Sequence, residues 1–493
     1  MSTPEKLPSE RGPIEEEEPF EGPPEEPTEE LSNLIEEFVS IARGGCDSPL
    51  VYVEAGAYHL ISHTMGQFMR VTGATCKRPN SWIILSSIPG RMRRSSIASY
   101  VTRVYKRAMK KIVFQTMLYD ALGTEAERLK TAEKIVEISI IEEGSVEGIM
   151  DHIMNAYEEY GLKSFSIMST EFGAVLQKMQ GTHYEAGVPA LLSKLKYGES
   201  GVVYLSARTG KTSKRYIPSG LYITLFAGMQ EPEQYLTKRQ SRTGLLRRLN
   251  IVLVTPEDLS MDDWKSPISF DRDAVPTKLD AFADKLADAA IELYNKRYFT
   301  ESPDDDPKVP AYFLEFPQLN KIAREIDEKL THADFSEYDL YRQGTVEQLA
   351  ELSVIHAIAC DKVVGEEGNW TIIIKEEDFE GAQRLHNEMH KHAEEILDSL
   401  SVSSRPMETQ QDTIDRIYNI MRRGGRTGIG RSDLFQQSKL KKVDLDEYIN
   451  TLWESAKILC MTKKTGGRFA IRYYAAEFFT EEEARTMTGG TAP

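Results

Sequence analysis

The stretch "SWIILSSIPGRMRRSSIASYV", residues 81–101, begins as a continuous apolar run, turns at Pro89-Gly90 and continues with helical spacing. A short apolar run between polar flanks reads as a buried strand. The order strand, glycine turn, helix is what a phosphate-binding loop requires, because backbone N–H groups at the helix start then face the anion. Arg91, Arg93 and Arg94 fall at that start, where cationic side chains oppose the helix dipole unless an anion is present.

A second stretch competes on spelling. "ARTGKT", residues 207–212, ends in Gly-Lys-Thr, but β-branched and aromatic residues flank it on both sides and Pro218 with Gly220 follow closely. Strand, tight turn and strand make a hairpin. Its basic residues, among them Lys211, Lys214 and Arg215, become candidates for touching DNA or a neighbouring subunit.

Outward from these segments, "SFSIMS" (164–169), "LYITLFA" (221–227) and "LNIVLV" (249–254) are further buried-strand candidates alternating with helical patterns. This alternation indicates a mostly parallel α/β sheet. From Ser95 onward one long amphipathic helix is expected, with its basic residues on the outer face. Beyond about residue 275 the pattern becomes helical, and the polar "SVSSRPMETQQ" separates that region from a basic carboxyl-terminal segment.

The bulk numbers set bounds. A chain of 493 residues suggests two to four domains. The four cysteines lie far apart with no CxxC pair, which speaks against a disulfide framework or zinc site and fits a reducing cytoplasm. No apolar run approaches the roughly 20 residues that span a bilayer, so no membrane partner is expected. The net charge of −17 is unevenly placed: residues 1–30 hold eleven acidic and two basic side chains with seven prolines, the composition of a disordered tail.

The carboxyl-terminal segment reads as a binding module. "QDTIDRIYNIMRR", "RSDLFQQS" and "VDLDEYINTLWESA" are three helices, and "KILCMTKKTGGRFAIRYY" is a hairpin around Gly466-Gly467. Three helices and a hairpin form a winged helix, a helix-turn-helix variant. The third helix opens on Asp444, Asp446 and Glu447, so contacts to DNA are assigned to Lys439, Lys441, Lys442, Lys463, Lys464, Arg468 and Arg472. "HNEMH" sets His386 and His390 on one helical face, but its glutamate is one position off the His-Glu-x-x-His arrangement and no third ligand is evident. A solvated helix face is expected there.

Taken in order, several motifs resemble one family. The loop at 86–96 is similar to a degenerate Walker A loop of the phage- and plasmid-borne P-loop proteins that travel with primases and replicative helicases. "EEGSVEGIMDHIMNAYEEYG" resembles a segment ahead of their acidic strand, with Ser145 replacing threonine. "FSIMSTEFGAVLQKM" looks like their Walker B strand, with Thr170 where the aspartate belongs and Glu171 kept. "GLLRRLNIVLV" is similar to a stretch of minichromosome-maintenance helicases that ends in an arginine finger, which falls on Arg248.

The resemblance covers about residues 50–260 and, more weakly, the helices to about 400; it implies a P-loop NTPase-like parallel sheet over residues 31–275 and a helical lid-like region over 276–405, while the residues themselves give the winged helix over 406–480 and a tail over 481–493. It also implies ATP and Mg²⁺ as cofactors. Pro89, Gly90, Arg93, Arg94, Ser95 and Ser96 would hold nucleotide, the Ser95 hydroxyl would bind Mg²⁺, Glu171 would orient water and Arg248 would act as a finger from a neighbouring subunit. Arginine in place of lysine and threonine in place of aspartate weaken metal and phosphate handling, so binding is expected to survive better than rapid hydrolysis. The expected function is that of a DNA-replication or helicase-like protein of a mobile element or virus, a homo-oligomer with DNA and a primase or polymerase as partners. The rival expectation is a non-enzymatic DNA-binding scaffold with a decayed nucleotide site.

Overall fold

The computed structural model of the chain describes residues 33–72, 78–87, 94–119, 121–142, 146–173, 176, 188–206, 212–230, 232, 235–236, 244–255, 258, 274–296, 308–313, 317–331, 337–365, 370–394, 396–397, 410–438, 442–455, 457–465, 468–480 and 483. They belong to two compact units, residues 1–401 and 402–493.

The first unit opens with α1 (Leu34–Arg43), α2 (Leu50–Gly66), β1 (Met69–Thr72) and β2 (Trp82–Ser87). Then come α3 (Arg94–Thr116), α4 (Glu125–Ser139), β3 (Ile140–Ile141), α5 (Val146–Tyr160), β4 (Ser164–Ser169) and α6 (Val188–Tyr197). A hairpin of β5 (Gly201–Ser206) and β6 (Thr212–Ile217) precedes β7 (Tyr222–Gln230) and β8 (Asn250–Val254). The unit closes with α7 (Ala274–Asn295), β9 (Val309–Phe313), α8 (Pro317–Thr331), α9 (Glu337–Arg342), α10 (Thr345–Ala359), β10 (Val363–Val364), β11 (Thr371–Ile374) and α11 (Glu376–Met389).

Among the described residues, β3, β4, β7, β2 and β8 lie side by side in that order, and every pair is parallel. Parallel strands are covered on both faces and read as unbroken apolar runs, which is why "WIILSS" and "SFSIMS" show no alternation. All six residues of β4 are buried. The fold is therefore α/β around a parallel sheet, as the alternating pattern indicates.

Local chemistry starts and stops the flanking helices. The Asn33 side chain accepts a hydrogen bond from the Ile35 amide (2.9 Å) at the start of α1. Thr124 and Glu127 form a capping box on α4, satisfying amides that the helix itself leaves open. α2 differs, being buried from Tyr52 through Gly66. It has no polar face because it runs through the middle of the core.

Burial of that helix forces its polar side chains to find partners inside. His59 Nε2 is hydrogen-bonded to Ser166 Oγ (3.1 Å) on β4, and His63 Nδ1 to Thr224 Oγ1 (2.8 Å) on β7. Tyr105 of α3 bridges His63 Nε2 (3.0 Å) and Ser139 Oγ (2.9 Å). Burial depresses both imidazole pKa values, that of His63 to about 3.

The long helix expected from Ser95 is present as α3, but its basic stripe is not free. Arg103 pairs with Asp280 (2.8 Å), Arg107 with Asp284 (2.6 Å) and Lys111 with Asp288 (2.6 Å) on α7. The separation in sequence stays at 177, so the two helices run parallel with one side-chain step per turn. Such exposed pairs contribute little stability each. They set register, while Val101, Val104 and Ala108 pack in the same core as Leu279, Ala283 and Leu286.

Residues 276–405, read as helices from sequence, also supply strands. β9 pairs in parallel with β1 and with β11, and β10 closes this second sheet antiparallel to β11. The strands are short, four or five residues for β1, β9 and β11, and give little periodicity to detect.

In the second unit, α12 (Gln410–Arg423), β12 (Ile429–Gly430), α13 (Arg431–Ser438) and α14 (Lys442–Glu454) precede a hairpin of β13 (Ile458–Thr465) and β14 (Arg468–Ala475). β14 lies between β12 and β13, all antiparallel. The unit has its own apolar core, centred on Ile417, Met421, Leu434, Leu452 and Ile458.

Candidate functional site at the carboxyl edge of the parallel sheet

The chain leaves the neighbouring strands β2 and β7 in opposite directions: from β2 toward β3 on one side, from β7 toward β8 on the other. In open parallel sheets the crevice beyond the carboxyl ends of two such strands is the preferred ligand position. Arg94, the first residue of α3, lies over this point. Its Nη1 donates to Leu85 O near the end of β2 (3.4 Å). A Cβ placed on Gly228 of β7 would stand 3.6 Å from that same nitrogen and 2.7 Å from the Thr170 carbonyl. Glycine at 228 therefore keeps the floor of the crevice open and lets the β4 exit approach β7.

Glu171 follows β4 directly. Its Oε1 accepts a hydrogen bond from Gln230 Nε2 (3.2 Å), the last residue of β7, and its amide donates to Ser169 Oγ (3.3 Å). Three distant segments thus meet at one edge: Arg94 from the helix after β2, Glu171 from β4 and Gln230 from β7. With β7 interposed, β2 and β4 stand about 10 Å apart, the width of a phosphoryl group with its contacts. α3 has no acidic residue in its first turn, so its amide dipoles and Arg94 both contribute positive potential there. Ser95 is exposed and Ser96 half-buried in that turn.

Arg248 is not at this edge. It closes the 3₁₀ turn Leu246–Arg248 that enters β8, at the opposite end of the sheet from Glu171, separated by a strand length of about 16 Å along the strands and by two intervening strands across them. Its guanidinium stacks on Tyr197 (5.2 Å to the ring centroid) and donates to Gly244 O, and its Nε is buried without a partner among the described residues. Within one chain Arg248 and Glu171 do not form a catalytic pair.

The turn that carries Arg248 is clamped from two sides. Lys196 Nζ donates to Arg248 O (3.2 Å), Gln348 Nε2 to Arg247 O (3.2 Å) and Tyr341 OH to Leu249 O (2.9 Å). A Cβ on Gly344 would overlap Arg247 O at 1.7 Å, so only glycine lets α10 start there. Lys196 is itself fully buried against Glu351 (3.1 Å) and Glu347 (3.9 Å). Burial opposes its charge, yet the two carboxylates outweigh it and raise the ammonium pKa.

Pro89, Gly90 and Arg93 lie outside the described residues, as do Ser145, Lys211, Lys439 and Lys441. Lys214 and Arg215 are on β6, in register with Tyr204 and Val203. Thr212 begins a strand paired antiparallel with β5 rather than a helix, while Gly210, like Lys211, lies outside the described residues. Lys442 opens α14, Lys463 and Lys464 lie on β13, and Arg468 opens β14. Arg472 Nη1 donates to Thr427 O (2.6 Å) and Gly428 O (3.4 Å), so this side chain fixes the hairpin to the α12–α13 connection. Asp446 at the start of α14 is paired with Arg431.

The expectation of a solvated face at "HNEMH" is corrected by the structure. His386 and His390 stack on each other (4.0 Å between centroids), and His390 stacks on Tyr341. His386 Nε2 donates to Gln348 Oε1 (3.0 Å) and His390 Nε2 to Asn250 Oδ1 (3.2 Å). The helix periodicity is right, but the face it marks is covered by β8 and α10.

Sequence reasoning missed Gln230, Gly228, Lys196, Glu351 and Gly344. The one available signal was the polar residue ending the run "YITLFAGMQ", which marks the carboxyl edge. Compared with known proteins, the chain matches no protein-family model and no curated protein sequence.

Proposed function

We propose that the carboxyl edge around Arg94, Glu171 and Gln230 binds the phosphates of a nucleotide, and that residues 402–493 act as a winged-helix module for DNA. On this reading the chain is a DNA-replication or helicase-like protein of a mobile element or virus, turning over ATP weakly with Mg²⁺ in a homo-oligomer. The observation that carries it is the position of Arg94 at the switch point between β2 and β7, with the amino end of α3 and a glycine floor beneath. Glu171, held by Gln230, is the group placed to orient water. Support for the DNA module is the order helix, short strand, helix, helix, hairpin in the second unit, with lysines and arginines along the hairpin.

Arg94→Ala removes a charge-assisted contact to phosphate, worth about 1.5–3 kcal/mol, so the affinity for a fluorescent ATP analogue is expected to fall about 10- to 100-fold. Lys211→Ala should leave it nearly intact. The reverse pattern would move the phosphate site to the hairpin. Loss of Mg²⁺-dependent hydrolysis in Glu171→Gln with binding retained identifies an enzyme, whereas a wild-type protein that binds nucleotide without hydrolysing it is a scaffold.

The DNA reading has a separate measurement. Residues 402–493 should bind duplex DNA with modest sequence preference and lose about a thousandfold or more in affinity between ~50 and ~200 mM salt, the behaviour of six or more neutralised phosphates. An affinity that salt does not change would remove the electrostatic basis of this assignment.

A further inference from the structure

One cluster of metal-ligating side chains lies well away from the sheet edge. His356 is in the last turn of α10 and Cys360 is its C-cap residue, one turn further on. The chain then leaves through β10 and β11 and returns at α11, where Asp378 is the third residue. His356 Nδ1 is 3.0 Å from Asp378 Oδ1 and 3.9 Å from Cys360 Sγ. The three ligand atoms all lie within 4.8 Å of one another.

The imidazole is held in this orientation. A Cβ on Gly381 of α11 would stand 2.8 Å from His356 Nε2, so the far edge of the ring presses on a glycine and Nδ1 is left facing the other two groups. Asp378 is fixed as well, because its Oδ2 accepts the Lys375 amide (2.9 Å) and leaves Oδ1 turned inward. Such outer contacts are what orient ligands in metal sites.

Orientation decides between two chemistries. A thiol nucleophile needs its base and the orienting carboxylate on opposite ring nitrogens. Here the thiol and the carboxylate address the same nitrogen, so no relay is possible, and the space between the three atoms suits one cation. A tetrahedral zinc ion with ordinary bond lengths sets N···S at about 3.5 Å and N···O at about 3.3 Å, each a few tenths of an ångström from the distances found.

We propose that His356, Cys360 and Asp378 bind a zinc-type divalent cation, with a fourth position open to water, and that this ion closes the base of the β10–β11 hairpin. Lys362 competes with the ion, since its Nζ is 2.8 Å from the same Asp378 Oδ1 while it also pairs with Glu377.

The test uses the full chain, freed of metal by a chelator and titrated with Co²⁺ and then Zn²⁺. The expected result is a near-ultraviolet sulfur-to-cobalt charge-transfer band with tetrahedral visible absorption at stoichiometric Co²⁺, displaced by Zn²⁺ and lost in Cys360→Ser. Lys362→Met, which keeps all three ligands, should tighten binding about tenfold, the scale on which outer groups tune metal affinity. Absence of the sulfur band in the wild type at excess Co²⁺, an undiminished band in Cys360→Ser, or weaker binding in Lys362→Met would each overturn the assignment. Should Cys360→Ser not fold, Asp378→Asn takes its place, with loss of the tetrahedral absorption expected and its full retention counting against the site.

Discussion

Acidification below pH 6.5 is expected to unfold the amino-terminal unit steeply. His59, His63 and His386 are buried and His390 is half-buried, and desolvation lowers all four pKa values from the ordinary 6.5, to about 3 for His63 and about 4 for His386. The unfolded chain takes up these protons at pH 6.5 and the folded chain does not. The neutral rings therefore cost nothing above 6.5, and stability is lost progressively as the pH falls toward the folded-state values.

Each ring contributes a slope of about 1.4 kcal/mol per pH unit, so four together approach 5 kcal/mol per unit below about pH 5.5. That is comparable to the whole stability of an ordinary domain. The urea midpoint measured between pH 7.5 and 5 checks this, and His386→Gln should make the slope shallower by about one quarter. A midpoint independent of pH across that window would mean that these rings charge in place.

The second large effect concerns Lys196. Lys196→Met leaves Glu351, which is 1% exposed, without its cation. Removing one member of a buried pair costs about 3–5 kcal/mol, whereas replacing both members with apolar groups of similar size is often neutral. Lys196→Met should therefore be strongly destabilised in urea, and Lys196→Met combined with Glu351→Leu should recover most of the loss. If the double variant is as unstable as the single one, the stabilising contact is the one from Lys196 to the Arg248 carbonyl rather than the ion pair. The same comparison reads out the clamp, because loosening it frees the turn that carries Arg248.

The parts legible in the sequence share one property: their signal is local. β2, β4, β7 and β8 announce themselves as unbroken apolar runs because parallel interior strands are covered on both faces. Pro218 and Gly220 leave no room for the helix a phosphate loop needs, and Thr212 accordingly begins a strand. The helix of residues 94–116 was equally plain from its periodicity. Its basic residues lie on the outer face as expected, but their partners Asp280, Asp284 and Asp288 come 177 positions later on a helix whose own pattern says nothing about its neighbour.

Thus the buried strands β2, β4, β7 and β8, the helix between β2 and β4 that begins at residue 94 and the presence of cations at its start were legible in the sequence alone, through hydrophobic periodicity and turn chemistry acting over a few residues. Only the tertiary structure decided that Arg94, Glu171 and Gln230 converge at one edge while Arg248 lies at the other, and that His386 is buried with His390 stacked half-buried on it. It also decided that Lys196 is an interior ion pair and that His356, Cys360 and Asp378 meet. Those outcomes depend on which strand lies next to which. Strand neighbours are chosen by the combined burial of many residues far apart in the chain, a preference that no short stretch of sequence carries.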